Sequence, residues 1–238
     1  MKHVKDYLSY YQAPRILDIG TGSGQFVSLL RECTTDDAEI IGIDTFEQAI
    51  NQATSRFIEF KNCSFEVMDA AQLDFDDALF DVISISNSLH HLENPSAIFE
   101  EIHRCLKVGG ILLVNEMAKD HLTKAQGSHR LLHHFAADID KANGIFHDDT
   151  MTKKQIILFL ENYSKESLVK IWPMDVDKHV TASPEDIQRL IHTVDVLLSR
   201  VKDPIYQQKL KTKANRIKNH IRKYGFDSAT SYFVILKK

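Results

Sequence analysis

The residues best suited to chemistry lie in one short run, Asp18-Ile19-Gly20-Thr21-Gly22-Ser23-Gly24, directly after an apolar segment and directly before a helical one. Glycines at such a turn let the backbone approach a ligand closely, and the loop amides face whatever sits above the strand ends. A dinucleotide loop needs G-x-G-x-x-G, because its third glycine lets the helix pack on the strand while the pyrophosphate sits at the helix N-terminus. Here the third glycine comes one residue early and Gln25 fills the required slot. Asp18 would also be poorly placed beside a pyrophosphate. The spacing favours a nucleoside ligand without phosphates and disfavours a nicotinamide-dependent oxidoreductase.

Further side chains extend this pattern. Asp44, twenty residues after Gly24, ends the second strand-like segment, where a carboxylate can accept both hydroxyls of a ribose. Asp69-Ala70 ends the third and offers a carboxylate suited to an exocyclic amine such as that of adenine. The fourth runs into Ser86-Asn87-Ser88-Leu89-His90-His91-Leu92, where His90 or His91 could act as a general base. Glu116 and His121 are further base candidates by position alone. His129 and His133 are four apart, which puts two imidazoles on one helical face, with Asp138 and Asp140 nearby. No H-E-x-x-H pattern accompanies them and histidine also lines polar pockets, so no metal is expected.

These residues need a frame. Apolar strand candidates at 15–20, 39–44, 63–68, 80–86 and 110–117 alternate with helical stretches at 25–33, 46–60 and 95–106. Phe46, Ala49, Ile50, Ala53, Phe57 and Phe60 share one face of the second helical stretch. Asn94-Pro95 starts the third with a cap residue and a proline at the first helical position. Such alternation means a parallel sheet covered on both faces, a doubly wound α/β fold. After Met117 the rhythm breaks. Residues 118–149 form no clear βα unit and are too long for an ordinary connection. A helix at 152–163 and a strand at 167–172 follow. Two amphipathic helices then start at Ser183-Pro184-Glu185-Asp186 and at Asp203-Pro204, the second closed by Gly225, and a strand at 231–236 ends the chain.

Bulk properties narrow the class. Divided by roughly 150 residues per domain, 238 residues make one large domain or one domain with a cap. No stretch approaches the ~18 apolar residues of a membrane span, and the N-terminus has no apolar run after its positive charges, so a cytoplasmic protein is expected. Cys33, Cys63 and Cys105 are scattered and odd in number, which suits reduced thiols. The net charge of −4 argues against a non-specific nucleic-acid binder, but nine basic residues against one acid between Arg200 and Lys223 keep an RNA-directed role among the alternatives. An apolar face of the helical hairpin left exposed would predict a homodimer.

At this point the chain resembles the class I S-adenosylmethionine-dependent methyltransferases, in particular the small-molecule branch of the ubiquinone/menaquinone C-methyltransferases (methyltransferase type 11). The resemblance rests on Ile16–Gly24, Gly42-Ile43-Asp44, Met68-Asp69-Ala70, Phe80-Asp81-Val82-Ile83, Ser88-Leu89-His90-His91-Leu92 and Leu106-Lys107-Val108-Gly109-Gly110, and covers roughly residues 14–117. It implies a Rossmann-like, mostly parallel seven-stranded sheet with one antiparallel strand, which the C-terminal segment would supply. It also implies S-adenosylmethionine as cofactor, S-adenosylhomocysteine as product, and a small-molecule methyl acceptor. By family position Gly20 and Gly22 lie under the methionine part and Asp44 holds the ribose. Asp69 and Ala70 line the adenine, while Asn87 and Ser88 flank the sulfonium. Asp18, Thr21 and Thr45 complete the implied cofactor set, and His90 and His91 are the catalytic candidates. The Asn/Asp-Pro-Pro-Tyr/Phe loop of nucleic-acid amino-methyltransferases is absent, since Asn87-Ser88-Leu89-His90 stands there.

The expected cofactor domain is 1–117 with 151–173 and 226–238, and the expected helical lid is 118–150 with 174–225. An aromatic ring from Tyr7, Tyr10 or Tyr11 could close over the cofactor. The rival from another class is a non-catalytic cofactor-binding or scaffold protein.

Overall fold

The computed structural model describes residues 2–174 and 182–238; the first residues of the expected lid segment 174–225, 175–181, lie outside them. The chain divides into two compact units, Met1–Glu116 with Ile157–Met174 and Tyr232–Lys238, and Met117–Ile156 with Asp175–Ser231.

The first unit is built on β1 (Arg15–Ile19), β2 (Glu39–Asp44), β3 (Cys63–Val67), β4 (Phe80–Ser86), β5 (Leu106–Met117), β6 (Ser167–Pro173) and β7 (Ser231–Lys237), ordered β3-β2-β1-β4-β5-β7-β6. β1 pairs in parallel with β2 and β4, and β4 with β5. β7 runs against the others: it is antiparallel to β6, and Lys238 beside it exchanges backbone bonds with Gly109 and Gly110 at the start of β5. This is the doubly wound sheet with one reversed strand that the sequence implied. Its central strands are near-continuous apolar runs because both faces are covered; Ile16, Leu17, Val82, Ile83, Leu112 and Leu113 are fully buried. Strand order reverses between β1 and β4, and the loops at their carboxyl ends flank the crevice that such a reversal opens.

The covering helices are α1 (Lys2–Leu8), α2 (Gln25–Cys33), α3 (Glu47–Arg56), α4 (Pro95–Cys105) and the later turns of α6 (Lys153–Tyr163). Asn94 caps α4 through the Ala97 amide, with Pro95 at the first helical position. α3 is shorter than the expected 46–60. The Phe57 ring packs tilted against Phe65 of β3 and against Phe60, and the Arg31 guanidinium lies 4.5 Å from the Phe60 ring. These contacts hold the chain in a turn after Arg56, so the apolar stripe does not continue: Phe46 and Phe60 are 58% and 41% exposed. α1 was not anticipated, although Val4 and Leu8, one turn apart, are both buried in the sheet's core. Tyr11 donates to the Gly109 carbonyl at the amino end of β5, Tyr7 stacks on Trp172 and Tyr10 is exposed. Tyr11 therefore lies at the end of the sheet away from the glycine loop, and does not serve as the expected cover.

The second unit contains α5 (Lys124–Ala142), a helix inside the segment 118–150 that showed no βα unit and was expected to be part of a helical lid. Thr123 and Gln126 form its capping box. Its stripe Leu131, Leu132, Phe135 and Ile139 packs with α7 (Pro184–Ser199) and α8 (Pro204–Tyr224) in a three-helix core. The hairpin stripes of α7 and α8 thus have a partner within the chain, and the premise for a homodimer, an exposed hairpin face, does not hold there. The basic run is partly neutralised by acids of the same unit: Lys213 pairs with Asp138 and Lys218 with Asp195. Among the described residues no helix is long and apolar enough to cross a membrane.

Candidate functional site: an acid-flanked glycine loop at the switch point

The loop after β1 is shaped by three left-handed glycines, Gly20, Gly22 and Gly24, with φ of 66°, 53° and 77°. Two are enforced by close neighbours. A Cβ on Gly20 would meet the Ser88 hydroxyl at 2.6 Å, and one on Gly24 the Phe57 ring at 2.7 Å. Gly22 differs, because nothing lies within 4 Å of its missing side chain. Its backbone offers an open face to a ligand, while its positive φ still excludes ordinary side chains.

Asp44 fixes this loop. Its Oδ2 accepts the Gly22 amide at 2.9 Å and its Oδ1 accepts the Phe46 amide at 2.9 Å, at the start of α3. Each oxygen thereby spends one lone pair on backbone and keeps another, and the carboxylate is oriented before any ligand arrives.

Asp18 is 1% exposed. Its Oδ1 accepts the Ser84 hydroxyl at 2.6 Å; the Thr21 hydroxyl lies near enough to favour the carboxylate, but among the described residues neither it nor Asp18 Oδ2 makes a hydrogen bond of ordinary geometry. Burial pushes its pKa up to about 6; the Ser84 and Thr21 hydroxyls oppose the rise and the charge of Asp44 adds to it.

The sign of the stability effect follows. The folded carboxyl holds its proton more tightly than the unfolded one, so its contribution is fully present below about pH 4 and is lost as pH rises through about 6. Denaturant unfolding of the wild type and Asp18→Asn across pH 4–7 should show the wild type losing about 2 kcal/mol relative to the variant. Parallel pH profiles would contradict the buried-acid assignment.

Gly42 of β2 supports the loop from below. An added Cβ would stand 2.7 Å from both the Phe65 ring and the Thr21 hydroxyl. Gly42→Ala is therefore expected to cost about 1–3 kcal/mol of stability through overpacking, read as a lowered melting temperature. An unchanged melt would show that Thr21 and Phe65 yield freely.

The remaining expected residues lie along the same edge of the sheet. Thr45 is exposed in the turn after β2. Asp69 is exposed just past β3, its Oδ1 accepting the Ala71 amide, with Ala70 half-buried beside it. Asn87, at φ 49°, donates its amide to Asn115, and Ser88 donates its hydroxyl to the Ser86 carbonyl. Direct contacts thus join Gly20 to Ser88 and Gly22 to Asp44, while Thr45, Asp69, Ala70 and Asn87 share only the strand-end position.

The two histidines separate. Both belong to a single 3-10 turn, Leu89–His91, but His91 is exposed whereas His90 is buried. Glu116, fully buried at the end of β5, binds His90 Nδ1 through Oε1 at 2.7 Å and accepts the Leu89 amide through Oε2 at 3.1 Å. When ionised, the glutamate holds the imidazole as the tautomer with its proton on Nδ1 and its lone pair on Nε2. Ser84 and the positioning role of Glu116 were missed from the sequence. The available signal was a single polar residue inside the apolar run Val82-Ile83-Ser84-Ile85, and an acid closing the run Ile111–Val114.

In the second unit His129 and His133, whose spacing alone could have suited a shared ligand, go to different partners. His129 Nδ1 accepts the Ala229 amide at 2.9 Å, and burial holds its pKa below the usual histidine range. His133 instead faces His147.

With this geometry in view, the chain compares with known proteins as follows. Residues 12–161 match the family model described as "Methyltransferase domain". Over 116 residues it is 28% identical to a carboxy-S-adenosyl-L-methionine synthase of Helicobacter pylori, covering 48% of each chain. Over 111 residues it is 30% identical to the ubiquinone/menaquinone biosynthesis C-methyltransferase UbiE of Coxiella burnetii, covering 45% of this chain and 44% of that protein. The chain thus spans about half the length of the curated relatives it matches. Among solved structures, a putative methyltransferase from Bacillus halodurans aligns with TM-score 0.65 at 16% identity, over 100% of this chain and 97% of that one. The [4+2]-cyclase SpnF aligns with TM-score 0.62 at 19% identity, over 99% of this chain and 78% of the cyclase.

Proposed function

The chain belongs to the methyltransferase domain family, and on that footing we propose that it transfers a methyl group from S-adenosylmethionine to a small-molecule acceptor. The observation that carries this reading is the Asp44 carboxylate, fixed by the amides of Gly22 and Phe46 beside an open-faced glycine loop. Asp44 suits the hydroxyls of a ribose, while Asp18 at the front of the loop and Gln25 in the slot of the third glycine disfavour a pyrophosphate. The unpartnered Asp18 Oδ2 and Thr21 hydroxyl suit the ammonium of an amino-acid tail. Those features fit S-adenosylmethionine, with Asp44 for the ribose, Asp69 and Ala70 for the adenine, Gly20 and Gly22 under the methionine part, and Asn87 and Ser88 toward the sulfonium. When bound, the cofactor supplies an electrophilic methyl carbon.

The protein's own contribution is to bind, orient and exclude water, which suffices for much of an in-line displacement. An acceptor whose nucleophile is a hydroxyl or an acidic carbon must also lose a proton. His90 is the base for that step, its Nδ1 held by Glu116 and its Nε2 receiving the proton, after which the imidazolium is stabilised by the carboxylate. The carbon methylation in the name of the Coxiella relative suits such an acceptor. His91, exposed, is not given this role. Acceptor selection is assigned to the second unit's excursions, residues 118–150 and 174–225, because β5 runs directly into the first of them.

The test is turnover of labelled S-adenosylmethionine with a panel of small phenols, enols and amines. Label transfer that is lost in the Asp44→Ala variant supports the reading. Firm cofactor binding with no transfer to any acceptor class would favour the non-catalytic alternative.

A further inference from the structure

We propose that His133 and His147 form a metal site for a zinc-type divalent cation within the second unit, with Asp140 as the carboxylate that positions it. The α5 helix carries His133 and, seven residues on, Asp140. After Ala142 the chain turns through Gly144, at φ 79°, with the Ile145 amide bonded back to the Asp140 carbonyl. The turn returns His147 to the helix it has just left. His147 is 3% exposed, its Nδ1 lies 2.7 Å from Asp140 Oδ2, and its Nε2 lies 3.4 Å from His133 Nε2. The two rings are steeply inclined, at 73° with centroids 5.2 Å apart, so they meet edge on rather than stacked.

Three points favour a shared cation over a shared proton. First, the Asp140 carboxylate is placed to accept a hydrogen bond from Nδ1–H of His147, which directs the Nε2 lone pair at His133, the orientation that carboxylate–histidine–metal units use. Second, at 3.4 Å the two ring nitrogens stand at the far end of hydrogen-bonding distance. Third, two nitrogens each ~2.0–2.1 Å from a tetrahedral zinc stand about 3.3–3.4 Å apart, the separation found here. Two protein nitrogens leave further coordination positions for water or for a bound ligand. The other two histidines of α5 are engaged elsewhere: His129 accepts the Ala229 amide and His134 Nε2 bonds the Thr150 hydroxyl.

The test uses the full chain, free of any histidine tag and treated with chelator, titrated with Co2+ and then Zn2+. Expected is one equivalent of Co2+ with the intense visible absorption of a low-symmetry four-coordinate site, displaced by one equivalent of Zn2+. Melting temperature should rise with the bound metal. His133→Gln, at a half-buried helix position where folding is retained, should abolish the absorption, as should His147→Gln. Asp140→Asn should weaken binding about 10–100-fold, while His129→Gln should leave it unchanged. Absence of stoichiometric binding, or binding that survives both His133→Gln and His147→Gln, would overturn the site.

Discussion

Replacing Asp44 by Ala should weaken binding of S-adenosylhomocysteine at least about 100-fold, below what calorimetry detects at ordinary protein concentrations. Two charge-assisted bonds from Asp44 hold the Gly22 loop and the start of α3, and each such bond contributes on the order of 1.5–3 kcal/mol. The variant loses the anchor of the loop and the acceptor for the ribose together, and about 3 kcal/mol corresponds to roughly a 100-fold change in Kd. Asp44→Asn keeps one acceptor oxygen and should fall between the two. The fold should survive, because β2 is held by its pairing with β1 and β3 and by the buried Ile40, Ile41 and Ile43. A Kd within threefold of the wild type in the folded Ala variant would remove Asp44 from the cofactor site.

The second large effect concerns the buried pair on β5 and the 3-10 turn. For an acceptor that must be deprotonated, His90→Gln should lower kcat by about 10²–10⁴ while the S-adenosylhomocysteine Kd stays within threefold. Glu116→Gln should lower kcat by a smaller factor, because the amide still accepts one bond but no longer stabilises an imidazolium. A merely structural role for Glu116 would change melting temperature and cofactor Kd together and leave the pH–rate profile in place. A positioning role changes the profile, and His90→Gln should abolish its basic-group limb. An unchanged kcat in folded His90→Gln would assign proton removal elsewhere.

The first unit was legible because its signals are local. The glycine loop, the acids at consecutive strand ends and the apolar strand runs each reflect geometry set within a few residues. Sequence spacing therefore located Asp18, Gly20, Gly22 and Asp44 and the frame that carries them. What escaped depends on partners distant in the chain. α3 ends early because Phe57 packs against Phe65 and Phe60 meets Arg31, contacts that no helical periodicity encodes. The helical character of 118–150 was expected, but the bounds of α5 were not read from its polar, histidine-rich composition, although its Thr123–Gln126 capping box was readable. His129 and His133 have the spacing of a ligand pair, but the Ala229 amide, a hundred residues away, claims the first. Glu116 was noted only for its position at the end of β5; its hydrogen bonds to the Leu89 turn are a tertiary fact.

Fold alone does not fix the chemistry, as the [4+2]-cyclase that shares this architecture illustrates. The cofactor loop is the sharper discriminator. Calorimetric titration of the purified wild-type chain with S-adenosylhomocysteine, with NADH as the comparison ligand, addresses it directly. The expected result is saturable binding of S-adenosylhomocysteine at one site and no heat from NADH. Binding of NADH alone, or of neither ligand to folded protein, would contradict the assignment of the Asp18–Asp44 loop to a phosphate-free nucleoside cofactor.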